Sequence, residues 1–461
     1  MNTDDQSFYY FASHALLDEG WAKDVLFEVN NGYLQTIEPN SKPPVNAVHV
    51  DGPMLPTMAN VHSHAFQRIM AGVAEVSLNS IDSFWSWRDL MYKIVRKLSP
   101  DDVQVIATQL YIDMLKAGYT QVGEFHYLHH AQQGKPYDQP EEMAIRLMEA
   151  ANVSGIGLTL LPVLYSHSGF GGQEPTAGQL RFIHSTESYL DLQQACEKAL
   201  VDQPSHQLGI CFHSLRAVTK PQINTVLQSL DQKKVVHIHI AEQQKEVQDC
   251  LNWSGQRPIE WLHNNVGLND RWCLVHATHI NHQEIRNMAN SHVVAGLCLT
   301  TEANLGDGIF PAVEFEKANG RWGVGSDSHV SLSIVDELRT LEYGQRLRDQ
   351  QRNRLHRPNQ PSVGDNLFAQ ALQGGNQACD VSLGLKVGNR ANFMILDASN
   401  PFMAASQPAD VLNRWLFACN ENMIKDVFVA GKQVIKAFQH DQDDSSRLAF
   451  TRVIKKVMYD E

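Results

Sequence analysis

Between residues 55 and 326, short apolar runs rich in β-branched residues alternate with stretches that carry apolar positions at helical spacing. The apolar runs lie near 55–62, 120–126, 156–165, 207–213, 235–240, 271–276, 292–299 and 321–326. Each has strand length. The intervening stretches include PEEMAIRLMEAA, KEVQDCLNW, HQEIRNMA and VDELRTLEYGQRL. One helix start is written out in full. Ser99 supplies an N-cap, Pro100 fills the first helical position, Asp101 and Asp102 bring negative charge to the first turn, and Gly118 closes the segment. Eight strands alternating with helices predict a (β/α)8 barrel, with an open doubly wound sheet as the alternative. Pro162 interrupts the third run, where it removes a ladder donor. Residues 351–366 read as a loop between two helices.

The two ends of the chain have a different pattern. DVLFEVNNGYLQTIEP reads as two strands around Asn31-Gly32, a hairpin turn signal. LKVGNRANFMILD and DVFVAGKQVIKAF repeat that style after residue 380. Residues 1–53 and 380–461 therefore predict one composite β domain of sandwich type, with a C-terminal helical tail, around a barrel domain at 54–379.

Composition narrows the class. Of 461 residues, 43% are hydrophobic and 19% charged, enough apolar surface to bury a large core. No run reaches the length of a membrane span, and the acidic N-terminus lacks the basic and apolar regions of a secretory signal. The seven cysteines are dispersed, without a C-x-x-C pair, which points to reduced thiols and a cytoplasmic location. A net charge of −13 without a basic run argues against nucleic-acid binding. Membrane association is equally unsupported. The 21 histidines raise the prospect of metal or proton chemistry, which only position can assign.

Position does assign it. Barrel active sites form where the strands end. The first run ends in His62 and His64, two residues apart and hence on one face of a strand. The second ends in Glu124, His126 and Tyr127, and the fourth in His213 and Arg216. The fifth carries His237, His239 and Glu242, the sixth His276, and the eighth Asp327 and His329. His62, His64, one histidine of the fifth strand and Asp327 make a three-imidazole, one-carboxylate set suited to Zn²⁺ with a place left for water. Such a metal lowers the pKa of water from about 16 to about 7. Glu242 is placed to shuttle the proton of that water, and His276 to stabilise a tetrahedral centre.

H-x-H on strand one, H-x-x-E on strand five, His on strand six and S-D on strand eight resemble the amidohydrolase superfamily, across nearly the whole chain. Its two-metal branches bridge their ions with a carboxylated lysine or a glutamate at strand four. CFHSLRAV offers neither, so the resemblance implies the one-metal deaminase branch. HSHAFQRIMAG, SFWSWRDLMY, GEFHYLHH, HSLRAV, HIAEQ, TEANLGDGIF and SDSHVSLSIVDELRTLEYGQRL together look like the formimidoylglutamate deiminase family. That resemblance implies hydrolysis of N-formimino-L-glutamate to N-formyl-L-glutamate and ammonia in histidine breakdown, on one Zn²⁺ per chain, in a homodimer. It implies His62, His64, His239 and Asp327 as ligands, with His237 two residues deeper. It implies Glu242, His276 and Asp327 as catalytic, and Gln67, Arg88, Tyr127, His213 and Arg216 as substrate contacts. Fe²⁺ suits a similar donor set. The family's glycine after the strand-one proline is replaced by Thr57, which puts a turn near the site in question.

The chemistry of the residues agrees with that substrate. Two carboxylates call for arginine forks, and Arg88, in the aromatic loop SFWSWRDL after strand one, and Arg216, past strand four, supply them. The same loop is a lid candidate. Its Trp85 and Trp87 either brace it or touch substrate. The overall negative charge is screened beyond about 8 Å. A guanine-like heterocycle is the alternative substrate, and a barrel that kept its fold and lost catalysis is the non-enzymatic alternative. The arginines disfavour the first and the complete acid–base set the second. His129, His130, His263, His279 and His282 read as ordinary helix or loop residues, and Glu302 and Asn304 carry no assignable role.

Overall fold

A computed structural model describes residues 7–76 and 84–459, without the side chains of 84–86. Eight parallel strands form the central layer: β1 (Met58–Ser63), β2 (Tyr119–His126), β3 (Gly157–Leu164), β4 (Ile210–Ser214), β5 (Val236–Ile240), β6 (Trp272–His276), β7 (Val294–Leu297) and β8 (Arg321–Val324). They pair in chain order, and Ser63 bridges Asp327 in parallel to close β8 onto β1. The open-sheet alternative is thereby excluded. Helices cover the outside, so the strands are buried on both faces and their sequences read as nearly continuous apolar runs.

Local signals hold where the chemistry is specific. Ser99 and Asp102 form a reciprocal capping box on the helix Pro100–Lys116, and Gly118 follows its end at φ +90°. Pro162 sits near the end of β3, where its carbonyl accepts from the Tyr189 hydroxyl at 3.0 Å. The fourth run is split at Gly209 into His206–Leu208 and β4. The segment after 349 is a loop up to Ser362, which caps the helix Val363–Cys379.

The terminal segments build a second, eight-stranded sheet. Phe8–Leu17, Gly20–Asn30 and Tyr33–Glu38 come from the N-terminal side; Phe393–Leu396, Ile424–Val429 and Lys432–Ile435 from the C-terminal side. Asn31 and Gly32, both at positive φ, turn the hairpin. The sheet curls until Leu34 exchanges backbone hydrogen bonds with Gly388 and Asn389. Tyr10, Phe27, Phe393 and Phe428 fill its interior, with Phe393 stacked on Phe428 at 4.4 Å. Met54–Pro56 belongs to this sheet, paired with Phe393–Leu396, so the run expected at 55–62 is two strands that meet at Thr57. Thr57 is fully buried at negative φ, and its hydroxyl bonds that of Thr120 at 2.6 Å. A threonine therefore fits this junction without strain.

SFWSWRDL departs from expectation. From Phe84 on, the described part of it opens a helix, Phe84–Val95, and is not a loop; Ser83 lies outside the described residues. Trp87, Met91, Ile94 and Val95 recur at helical spacing and pack into the main core, which is the physical reason. Arg88 is thus carried on a helix.

Candidate active site

Two strand ends and one crossing point build the metal-ligand group. In β1 a bulge between Asn60 and Ser63 re-aims the chain, so that His62 and His64 converge. Their Nε2 atoms are 3.1 Å apart, and lie 3.0 and 3.3 Å from His239 Nε2 of β5. Asp327, just past β8, places Oδ1 3.4 Å from both His62 and His64 Nε2. All four side chains are buried.

These spacings test the donor set. A centre 2.0–2.1 Å from four tetrahedral donors spaces them about 3.3 Å apart. His64 Nδ1 donates to the Phe125 carbonyl at 2.8 Å, and His239 Nδ1 donates to that of His213 at 3.0 Å. Their Nε2 atoms are therefore bare lone pairs aimed at a common point, an arrangement suited to a cation. Burial lowers the His62, His64 and His239 imidazoles, which keeps them in the neutral, ligating form. Burial would raise Asp327, but the His62 hydrogen bond and the surrounding imidazoles outweigh it and hold the carboxyl well below its usual range. The four residues form a group able to bind a metal ion. His237 lies deeper, where Nε2 donates to the Ala378 carbonyl at 2.7 Å.

Next to this group sits an acid–base pair. His276 Nε2 lies 3.7 Å from Glu242 Oε1 and 3.9 Å from Asp327 Oδ2. Its Nδ1 faces Glu302 Oε1 at 3.2 Å. Burial raises the Glu242 carboxyl, with His276 opposing. Burial would lower the His276 imidazolium, yet Glu242, the Glu302 bond and Asp327 together raise it. Ala241, His276 and Asp327 all adopt left-handed φ at the strand ends, a strain that surrounding contacts hold in place.

One cavity joins these groups to the remaining expected residues. Gln67, Arg88, Tyr127, His213 and Arg216 line it together with His64, His239, Glu242, His276 and Asp327. Gln67 Nε2 donates to the Tyr127 hydroxyl at 2.8 Å. The guanidinium of Arg88 lies 5.6 Å from the Tyr92 ring centre. Arg216 Nε is buried without a hydrogen-bond partner among the described residues.

Several wall residues escaped the sequence reading: Met91, Tyr92, Tyr165, Phe182 and Leu305. Tyr165 directly follows β3, so the strand-end rule would have found it. Phe182 lies in an irregular segment and carried no signal. Glu302 gains a role as partner of His276. Trp87 lines the cavity, whereas Trp85 falls outside the described side chains.

This fold with this site is that of the amidohydrolases, and a sequence model of the amidohydrolase family matches residues 54–434. A second model, the N-terminal domain of formimidoylglutamate deiminase HutF, matches residues 9–45. Formimidoylglutamate deiminase of Pseudomonas aeruginosa is 55% identical over 97% of this chain and 99% of its own length. The crystal structure of an amidohydrolase from Brucella melitensis superposes with a TM-score of 0.94 at 44% identity, covering 98% of this chain and 100% of that one. A zinc-bound adenosine deaminase from Xanthomonas campestris shares the fold, with a TM-score of 0.81 at 21% identity over 97% and 98% of the two chains. The chain belongs to the formimidoylglutamate deiminase family of the amidohydrolases.

Proposed function

We propose that this chain hydrolyses N-formimino-L-glutamate to N-formyl-L-glutamate and ammonia, as a step of histidine breakdown. The observation that carries this reading is one cavity lined both by two arginines and by the metal-ligand and acid–base groups. A guanidinium fork matches a carboxylate bidentately, and this substrate has two carboxylates. A flat heterocycle offers no carboxylate for either fork.

His62, His64, His239 and Asp327 would hold one Zn²⁺ per chain, and Fe²⁺ is the competing ion for such a set. Bound there, the metal supplies Lewis acidity and a water acidic enough to react at neutral pH. Arg88 and Arg216 anchor the substrate carboxylates, while Gln67, Tyr127 and His213 position the chain between them and the formimino carbon. Glu242 takes the proton from the attacking water and passes it to the departing nitrogen. His276 and Asp327 hold the tetrahedral centre, with the raised His276 imidazolium as the donor. Ammonia leaves and the formyl group remains.

The partner of this site is a small dicarboxylate, not nucleic acid or a membrane. Among the described residues no helix is long and apolar enough to cross a membrane. A cytoplasmic homodimer is the form we propose, testable by mass in solution and by fractionation. The deciding experiment is ammonia release by zinc-loaded protein from N-formimino-L-glutamate, with guanine in parallel. Release from the first alone is expected. Release from guanine alone, or from neither by protein carrying one zinc per chain, overturns the substrate.

A further inference from the structure

Asp327 and the pair His62 and His64 arrive from the last and first barrel strands, across the seam that closes the barrel. Backbone pairing there is thin. Ser63 opposite Asp327 is an isolated bridge, formed by Asp327 N–H donating to His62 O at 3.0 Å and His64 N–H donating to Asp327 O at 3.2 Å. The bulge at Asn60–Ser63 leaves the register of β1 less determined than a regular ladder would. Something else has to set the distance between the carboxylate and the two imidazoles.

A buried polar network spans the seam beside the ligands, reaching the helix Pro100–Lys116. Asn60, Ser63, Tyr111, Glu124, Ser326 and His329 compose it, and none is more than 1% exposed. Asn60 Oδ1 accepts from the backbone N–H of His62 at 3.3 Å and of Ser326 at 3.1 Å, which ties both sides together. His329 completes the bridge, with Nδ1 2.9 Å from Ser326 Oγ and Nε2 3.3 Å from Ser63 Oγ.

The proton directions follow from both ends. The Asn60 amide can only donate from Nδ2, and it does so to Ser326 Oγ at 2.6 Å. The Ser326 hydroxyl is then free to donate to His329 Nδ1. At the other end the Glu124 carboxylate accepts from Ser63 Oγ at 2.5 Å, from the Tyr111 hydroxyl at 3.2 Å and from Ala65 N–H at 2.7 Å. With the Ser63 proton used on Glu124, His329 Nε2 must donate to Ser63 Oγ. The Ser63 end thus sets the neutral tautomer protonated on Nε2, and the Ser326 hydroxyl then satisfies Nδ1. His329 and Asp327 both hold left-handed φ, so the bonded side chain also retains a backbone that would otherwise relax.

We propose that His329 is a positioning residue: locked between Ser326 and Ser63, it spaces Asp327 from His62 and His64 and so sets how tightly the four-donor group holds its metal. The proposal rests on the metal reading of that group. Groups that orient ligands in this way are typically worth about 10–100-fold in metal affinity.

The test is a Co²⁺ titration of metal-free protein, wild type against His329→Gly and Ser326→Ala. Glycine adopts the left-handed backbone without strain, so the first variant removes the side chain without forcing a new conformation. The second removes one hydroxyl and decides the matter if the first fails to fold. The expected result is a Co²⁺ Kd raised about 10–100-fold in both, with visible absorption bands displaced from those of the wild type. A wholly structural role would lower thermal stability without moving the bands of bound Co²⁺. Wild-type Kd and wild-type bands in a folded variant would overturn the proposal. Failure of the wild type itself to bind Co²⁺ would overturn the metal reading beneath it.

Discussion

Glu302 Oε1 accepts from His276 Nδ1 at 3.2 Å while also accepting from the Cys298 backbone N–H at 2.9 Å. The carboxylate is therefore held from the main chain, and it in turn fixes which nitrogen of His276 faces the cavity. Nε2 is left pointing between Glu242 and Asp327. Replacing Glu302 by Gln keeps an acceptor and loses the charge; replacing it by Leu loses both. The expected order of kcat is wild type, then Glu302→Gln, then Glu302→Leu, with KM nearly constant. Steady-state kinetics check it, and equal losses in both variants would show that charge alone matters.

Glu242 should behave as the proton shuttle. Glu242→Gln conserves size and removes the titrating oxygen. Metal content should stay at one ion per chain, and kcat should fall by at least about 10²-fold. Burial holds the Glu242 carboxyl above the usual range, so in the wild type activity is lost as pH falls through that raised value. The acid limb of kcat/KM should then lie above the ordinary glutamate pKa of about 4.3. Near wild-type turnover in the variant would remove Glu242 from the mechanism.

Arg216 stands in the cavity wall with a buried, unpartnered Nε among the described residues. Arg216→Lys retains the charge and loses the planar fork. A hydrogen bond to a charged group is worth about 1.5–3 kcal/mol, or roughly 10–150-fold, so kcat/KM should drop within that range. A drop that appears mainly in KM identifies ground-state binding of a carboxylate.

Metal removal gives a prediction independent of substrate. Three imidazole nitrogens and a carboxylate converge within 3.4 Å of neighbouring donors, a cluster that a cation would hold together. Chelation should abolish ammonia release and lower the unfolding temperature together, and one equivalent of Zn²⁺ should restore both.

Acid stability should report on the C-terminal helix. Burial would raise Asp102, but Lys456 and the Ser99 cap outweigh it and hold the carboxyl below its usual range. Lys116 and the His440 backbone do the same for Asp443. A lowered folded pKa stabilises above the unfolded value, about 3.9, and that stabilisation is lost as pH falls through the folded value. Asp102→Asn should therefore lower Tm at pH 7 and leave it nearly unchanged at pH 2, as thermal melts across that range would show.

The boundary between what sequence and structure each decided runs through particular residues. Barrel, terminal sheet and strand ends were legible because alternation of apolar runs with helical spacing is a local property, and strand ends bring their side chains to one face of a barrel. His62, His64, Glu242, His276 and Asp327 could be read for that reason. The choice of His239 over His237 needed the family resemblance, because both face the same side of β5; the structure separates them by depth, with His237 spent on Ala378. The helix Phe84–Val95 was misread as a loop because its aromatic content hid an apolar face that becomes visible only against the core it packs on. Phe182 and the Glu302–His276 bond were not legible, and of His329 the sequence offered only a supporting place beside Asp327, not its network. Each joins residues far apart in the chain, and no local pattern records which buried polar groups will meet once the barrel closes.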